Sequence, residues 1–235
     1  MQRRRQITQF HAGPRRTLPS RPRRPVAGGG DARAFDGRRV ADLLLACVAL
    51  VVTAPIALVA IIAIKLDDRG PVLYRQRRYG KHLRSFTVLK FRTMTHGAPS
   101  TLHESYIAKA VTNGHTSDES LLKLTDDPRV TRVGRILRRL SVDELPQLLN
   151  VLAGDMSIIG PRPAIGYELR FYEAHHYERF AVRPGMTGLW QVSGRSRLSF
   201  AEMLDQDVEY ARRQSLRLDL LILAKTPAAI LGGSA

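Results

Sequence analysis

The strongest constraint on what this chain can fold into is the 22-residue run Leu43–Ile64, LLLACVALVVTAPIALVAIIAI, which carries no charge. As a helix it is roughly 33 Å long, enough to cross the hydrocarbon core of a bilayer. It does not read as a signal peptide, because the run is too long, starts too late and has no twin-arginine pair leading directly into it. Two features oppose a simple span. Pro55 sits near the middle, where it removes a backbone donor and bends a helix. The flanks also offer no outside end: five arginines occupy the twenty residues before Leu43, and seven Lys and Arg occupy the twenty from Lys65. A broken helix that enters and leaves on the cytoplasmic face satisfies both facts. The residues alone leave this and a span open, since non-helical backbone at depth needs protein cover.

The charge is unevenly placed. Of 37 Lys and Arg in the 235 residues, eleven arginines fall within residues 1–39, against two aspartates there, and the net charge is +16. This head includes PRRTLPSRPRRPVAGGG and lacks apolar periodicity, so residues 1–34 are expected to be a disordered basic head suited to an anionic lipid surface. Nucleic acid is not an expected partner, because the excess charge is concentrated in the head and no nucleic-acid motif is present. Cys47 is the single cysteine. It excludes an intramolecular disulfide and reads as a small buried hydrophobe.

After the expected membrane-helix segment (35–65), the Asp67–Pro71 turn cluster leads into two segments, Val72–Tyr79 and Ser85–Met94, that alternate apolar and basic residues. They predict a β-hairpin with a cationic face. Residues 96–120 are polar and predict a loop with one short helix. Helical periodicity returns over Arg132–Leu140, Leu145–Leu152 and Phe200–Leu231. Within the last, Leu216–Leu223 is apolar enough to face a core or a bilayer surface.

Chemistry is concentrated between Leu140 and Pro163, LSVDELPQLLNVLAGDMSIIGPRP. Asp143 and Glu144 are adjacent acids just before Pro146, in a strongly basic chain. Ser141-x-x-Glu144 fits a capping box, so helix capping is the commoner explanation of the pair. An acid held at a helix N-terminus would also stay ionised, ready to attack phosphorus or hold a divalent metal. Arg162, Arg183 and Arg195 lie in turns stiffened by Pro and Gly, and guanidinium forks match phosphate oxygens. Trp190 is compatible with a base stack, an interface anchor or a core position. His175-His176 beside Glu173 and Glu178 match no metal-ligand spacing and read as a surface face. There is no Walker-type loop, GxGxxG or Cys/His zinc pattern.

Five motifs in order resemble the bacterial sugar transferases, the monotopic phosphoglycosyl transferases that begin lipid-linked glycan synthesis. They are GPVLYRQRRYG (70–80), KFRTM (90–94), LTDDPRVTRVGRILRRLSVDELPQLLNVL (124–152), GDMSIIGPRP (154–163) and RPGMTGLWQVSGRS (183–196). The resemblance implies an α+β, mainly helical fold: a small catalytic domain (66–235) on the cytosolic face, a re-entrant membrane helix broken at Pro55, and interfacial amphipathic helices. It places the protein in the bacterial inner membrane. It implies that the Asp143 carboxylate attacks the β-phosphorus of a UDP-sugar and releases UMP. The phosphosugar then passes to polyprenyl phosphate. Glu144 matches the second acid of the dyad, with Mg²⁺ held by Glu144 and Asp143. Lys90, Arg92, Arg162, Arg183, Arg195 and Asp207 fall on substrate-binding motif positions, and a homodimer is compatible with the pattern. One departure concerns the helix break. The family often has Ser-Pro there, whereas here Ala54 precedes Pro55 and Thr53 is the nearest hydroxyl, able to bond a carbonyl one turn back. The competing reading is a non-catalytic membrane-anchored protein that binds anionic lipid or polymer, which leaves the dyad and the Gly160–Pro163 turn unexplained.

Overall fold

A computed structural model describes residues 37–98, 127–194 and 198–231. The basic head, most of the 96–120 loop expectation and Arg195 lie outside the described residues.

The apolar run forms helix α1, Gly37–Asp67, with Pro55 inside it. Among the described residues it is the one helix long and apolar enough to cross a membrane. Every third or fourth position, through Ala46, Ala49, Ala57, Ala60 and Ile64, packs against the rest of the molecule, on both sides of Pro55. Small side chains there let the helix axis approach closely. The other faces expose large residues such as Leu44, Val51, Val59 and Ile62. Thr53 Oγ1 donates to the Ala49 carbonyl at 2.6 Å, as its position predicts.

Both polar ends of α1 are tied to this same body. At the start, Asp42 accepts from Ser157 Oγ and the Ile158 N–H, each at 2.9 Å. Arg39 donates to the Val151 and Leu152 carbonyls, at 2.6 and 3.0 Å. At the other end, Asp67 accepts from the Val133 N–H at 3.2 Å, and Asp68 accepts from Arg92 and the His96 N–H.

Strands β1 (Leu73–Tyr79) and β2 (Ser85–Phe91) form the predicted antiparallel hairpin, in register from Leu73↔Phe91 to Tyr79↔Ser85. Helix α2 (Arg132–Arg139) begins at Thr131, whose hydroxyl accepts from the Gly134 N–H at 3.0 Å. Gly134 is obligatory on packing grounds: a Cβ there would lie 2.1 Å from the Thr93 carbonyl oxygen. A single 3-10 turn, Val142–Glu144, leads into α3, Gln147–Ala153. Asn150 of α3 plays the part of a neighbouring strand. Its side chain accepts from the Leu89 N–H (3.0 Å) and donates to the Thr87 carbonyl (2.7 Å), locking α3 to the open edge of β2.

A parallel pair not visible in the sequence joins β3 (Ser157–Ile159) to β4 (Gly185–Thr187). Short 3-10 stretches, Gly166–Phe171 and Ala174–Ala181, run between them. Helices α4 (Leu189–Ser193), α5 (Phe200–Arg213) and α6 (Leu216–Leu231) complete the fold, so the C-terminal helical stretch is two helices. Trp190 packs with Phe200, Met203 and Leu204, which makes it a core residue. Leu216, Leu220 and Leu221 of α6 remain exposed. Among the described residues the fold is thus mostly helical with two small sheets.

Candidate active site

The dyad stands in the 3-10 turn before α3. Asp143 is buried, at 5% exposure. Glu144 is half-buried, and its Oε1 accepts from Lys90 Nζ of β2 at 2.9 Å. The Asn150 contacts to Leu89 and Thr87 fix this approach, since they set the register of β2 against α3. Arg138, from the end of α2, donates to Thr93 Oγ1 at 2.9 Å and lies within the field of Asp143. Burial lowers the Arg138 pKa, while Asp143 and Asp127 oppose that shift.

The capping box expected at Ser141 is not formed. Ser141 is left-handed (φ 55°, ψ 20°) and makes no side-chain cap bond, whereas an N-cap residue needs extended backbone. The helix that follows starts only at Gln147, after Pro146. Ser141 and Glu144 therefore form no capping box. The hard carboxylate oxygens of Asp143 and Glu144 are the ligand type that Mg²⁺ prefers, and the cation already placed on Glu144 by Lys90 shows that positive charge fits there.

A second group surrounds the Gly160–Pro163 turn. Arg162 donates to Glu168 Oε1 at 3.1 Å, and its side chain is 21% exposed. Glu168 is fully buried. Burial would raise its pKa, but Arg162 and Arg78 together hold it below the ordinary carboxylate value. Arg78 of β1 is buried beside them, which pushes its pKa down to about 10. Arg179 is also buried and pairs with Asp207 of α5. Burial raises Asp207 to about 6, against the opposing pull of Arg179 and Arg162. Asp207 is only 2% exposed. It faces Arg179, with which it forms an ion pair.

The hairpin links the two groups. Lys90 pairs with Tyr74 and Arg78 with Phe86, so Lys90 and Arg78 share one face of the sheet. Along β1 they are separated by four residues, roughly 13 Å. Arg183 is brought to the same region from the far side: its carbonyl packs against Gly160, where a Cβ would lie 2.4 Å away. Arg92 instead donates to Asp68 twice, to the carboxylate and to the carbonyl, both at 2.7 Å, which ties β2 to the end of α1. Arg78, Glu168 and Arg179 had escaped the sequence reading. Arg78 lay within the quoted RQRRYG motif. The Arg179–Asp207 pair spans 28 residues and leaves no local pattern.

His175, His176 and Asp205 converge elsewhere, with Asp205 Oδ1 at 2.8 and 3.2 Å from the two ring Nε2 atoms. This is no ready metal site. His176 Nδ1 accepts the Glu173 N–H at 2.9 Å, so the neutral ring carries its proton on Nε2, where a metal would need the lone pair.

The bacterial sugar transferase family model matches residues 33–233. The chain belongs to this family. It is 42% identical over 207 residues to the exopolysaccharide production protein ExoY of Sinorhizobium fredii, covering 88% of each chain. It is 41% identical over 202 residues to the UDP-glucose:undecaprenyl-phosphate glucose-1-phosphate transferase of Caulobacter vibrioides, covering 83% of this chain and 69% of that one. Over 196 residues it is 36% identical to the undecaprenyl-phosphate galactose phosphotransferase of Salmonella typhimurium, covering 83% of this chain but 40% of that longer protein. The protein is therefore an enzyme of the phosphoglycosyl transferase type, and with α1 it is a membrane protein.

Proposed function

We propose that the protein transfers a phosphosugar from a UDP-sugar to undecaprenyl phosphate, through a covalent intermediate on Asp143, at the start of exopolysaccharide or related glycan synthesis. The observation that carries this reading is the placement of the Asp143–Glu144 dyad and an arginine-bearing turn on one face of the same hairpin. The names of the Caulobacter and Salmonella relatives support the acceptor, and that of the Sinorhizobium relative supports the pathway.

In this reading an Asp143 carboxylate oxygen attacks the β-phosphorus. The bond to the bridging oxygen breaks, its electron pair stays on that oxygen, and UMP leaves. An oxygen of undecaprenyl phosphate then attacks the same phosphorus and displaces the Asp143 carboxylate, giving a lipid diphosphosugar. Two steps let a soluble donor and a membrane-bound acceptor use one nucleophile in turn. Lys90 and Arg138 stand beside the dyad, and Arg162 and Arg183, with Arg195, serve the nucleotide diphosphate. Mg²⁺ held by Glu144 and Asp143 would offset charge on the transferring phosphoryl.

The site belongs at the bilayer surface, on the cytoplasmic face of the inner membrane, with α1 entering and leaving on that one side. Support comes from the polar ties at both ends of α1 to one body, and from the packed small residues on either side of Pro55. A helix that crossed the bilayer would have to carry one set of those polar partners with it, at a desolvation cost of several kcal/mol per group.

The test is to incubate detergent-solubilised protein with a panel of UDP-sugars and Mg²⁺ without lipid acceptor. UMP and a phosphohexose adduct on Asp143 are expected, and both should vanish in Asp143→Asn. An adduct that persists in that variant would sink the nucleophile assignment.

A further inference from the structure

The two halves of the candidate site lie on either side of one joint in the chain. The dyad precedes α3, and the Gly160–Pro163 turn follows β3. Between Ala153, the end of α3, and Ser157, the start of β3, stand only Gly154, Asp155 and Met156. Gly154 is left-handed (φ 92°), so the chain changes direction there. Since α3 and β3 are short and regular, the geometry of this joint sets how far Asp143 stands from Arg162.

The first two turns of α1 hold the joint from both sides. Arg39 donates to the Val151 and Leu152 carbonyls in the last turn of α3, at 2.6 and 3.0 Å. Asp42 lies three residues on, on the same face of α1. Its Oδ1 accepts from both Ser157 Oγ and the Ile158 N–H, each at 2.9 Å. The neighbouring Ser157 and Gly160 N–H groups bond to the Pro184 and Thr187 carbonyls beside β3, so the Ile158 N–H points the other way, toward α1. Ala46, the next residue along that face, is fully buried in one cluster with Val151 and Met156. Asp42 itself is 8% exposed. Burying a carboxylate is costly, and an apolar side chain packed as Ala46 is would serve stability as well or better. A directional hydrogen bond does what apolar packing does not: it fixes one register.

We propose that Arg39 and Asp42 are positioning residues, which grip the α3–β3 joint and so set the spacing between the Asp143 nucleophile and the Arg162 turn. This rests on the phosphosugar-transfer reading above. Neither residue touches the substrate. Because both belong to α1, the membrane helix is part of the frame of the active site as well as its anchor.

Asp42 Oδ1 alone accepts both bonds, so an amide at this position keeps the grip and Ala removes it. In nanodiscs, Asp42→Ala is expected to lower kcat for UMP release roughly tenfold or more per folded molecule, because the nucleophile is displaced from line. KM for the UDP-sugar should stay within about threefold, since the Arg162 turn is intact. Asp42→Asn should keep kcat within about threefold of wild type. Arg39→Met, which preserves the helix and the length of the side chain, should act as Asp42→Ala does and decides the matter if Asp42→Ala does not fold. Variants with wild-type kcat and only a lowered melting temperature would overturn the proposal, as would an Asp42→Asn enzyme impaired like Asp42→Ala. Hydrogen exchange supplies a readout that needs no turnover. The Ile158 amide should exchange about tenfold faster or more in Asp42→Ala than in wild type or Asp42→Asn, and equal exchange in all three would refute the grip. If wild-type protein released no UMP from any UDP-sugar, the donor reading and the spacing role would fall, while the Ile158 amide would still decide whether Asp42 holds the joint.

Discussion

Asp207 shows how one residue can be held against its own preference. In the unfolded chain its carboxyl titrates near 3.8, and in the fold burial raises it to about 6. The folded state then binds the proton more tightly. The stability contributed by this group is fully present below 3.8 and is lost as pH rises through about 6. At neutral pH the ionised form is thus kept at some expense, as happens where function outranks stability. Its pairing with Arg179 needs that ionised form, so lowering the pH through 6 should loosen the turn. We expect kcat/KM for UMP release to fall across this range, with the limb near 6 absent in Asp207→Asn. Following the first half-reaction avoids titration of the acceptor phosphate. The family resemblance marks Asp207 as a substrate-binding position, but nothing local in the sequence points to Arg179 as its partner, 28 residues away. Asp143 and Glu144 were legible, as adjacent acids in a basic chain. What the sequence misjudged was Ser141, whose left-handed backbone cancels the capping box.

At the scale of elements, the dyad depends on a connection between α3 and β2 that runs through Asn150. Replacing Asn150 with Ala strips partners from the Leu89 N–H and the Thr87 carbonyl. Leaving such groups unpaired costs about 1–3 kcal/mol each. Asn150→Ala should lower stability by about 2 kcal/mol or more in a denaturant titration. It should also slow adduct formation on Asp143, since Lys90 is adjacent to Leu89 and approaches Glu144 through the same register. Asn150→Asp, which keeps the acceptor and loses the donor, should fall between. The hairpin was predicted from its alternation, and its strands match closely. The β3–β4 pair was not, because three-residue strands carry no periodicity. Their contact depends on glycine at Gly160 and Gly185, where a Cβ on Gly185 would meet the Gly160 nitrogen at 2.0 Å.

For the whole molecule, the outstanding question is how α1 sits in the bilayer. Its polar ends and its packed stripe lead to an expected outcome: single cysteines placed at Arg38 and at Arg69, on a Cys47→Ser background, should both be labelled from the cytoplasmic side of sealed inverted vesicles. Labelling of one from each side would refute the re-entrant reading. The exposed leucines of α6 and the outward faces of α1 should also keep the protein with the membrane in high salt, since burial of apolar area is not screened as surface charge is.

The sequence by itself determined that a long apolar helix interrupted by proline is joined to a small basic domain, and that Asp143, Glu144 and the Gly160–Pro163 turn are the places to look for chemistry. Those properties are local: a hydrophobic run, a proline and adjacent acids act through their neighbours in the chain. The tertiary structure decided which charges face one another. It assigned Lys90 to Glu144, Arg92 to Asp68 and Asp207 to Arg179, and it bound both ends of α1 to one body. Such pairings join residues from 24 to 116 positions apart. They become visible only when burial removes water and forces each charge to find a partner.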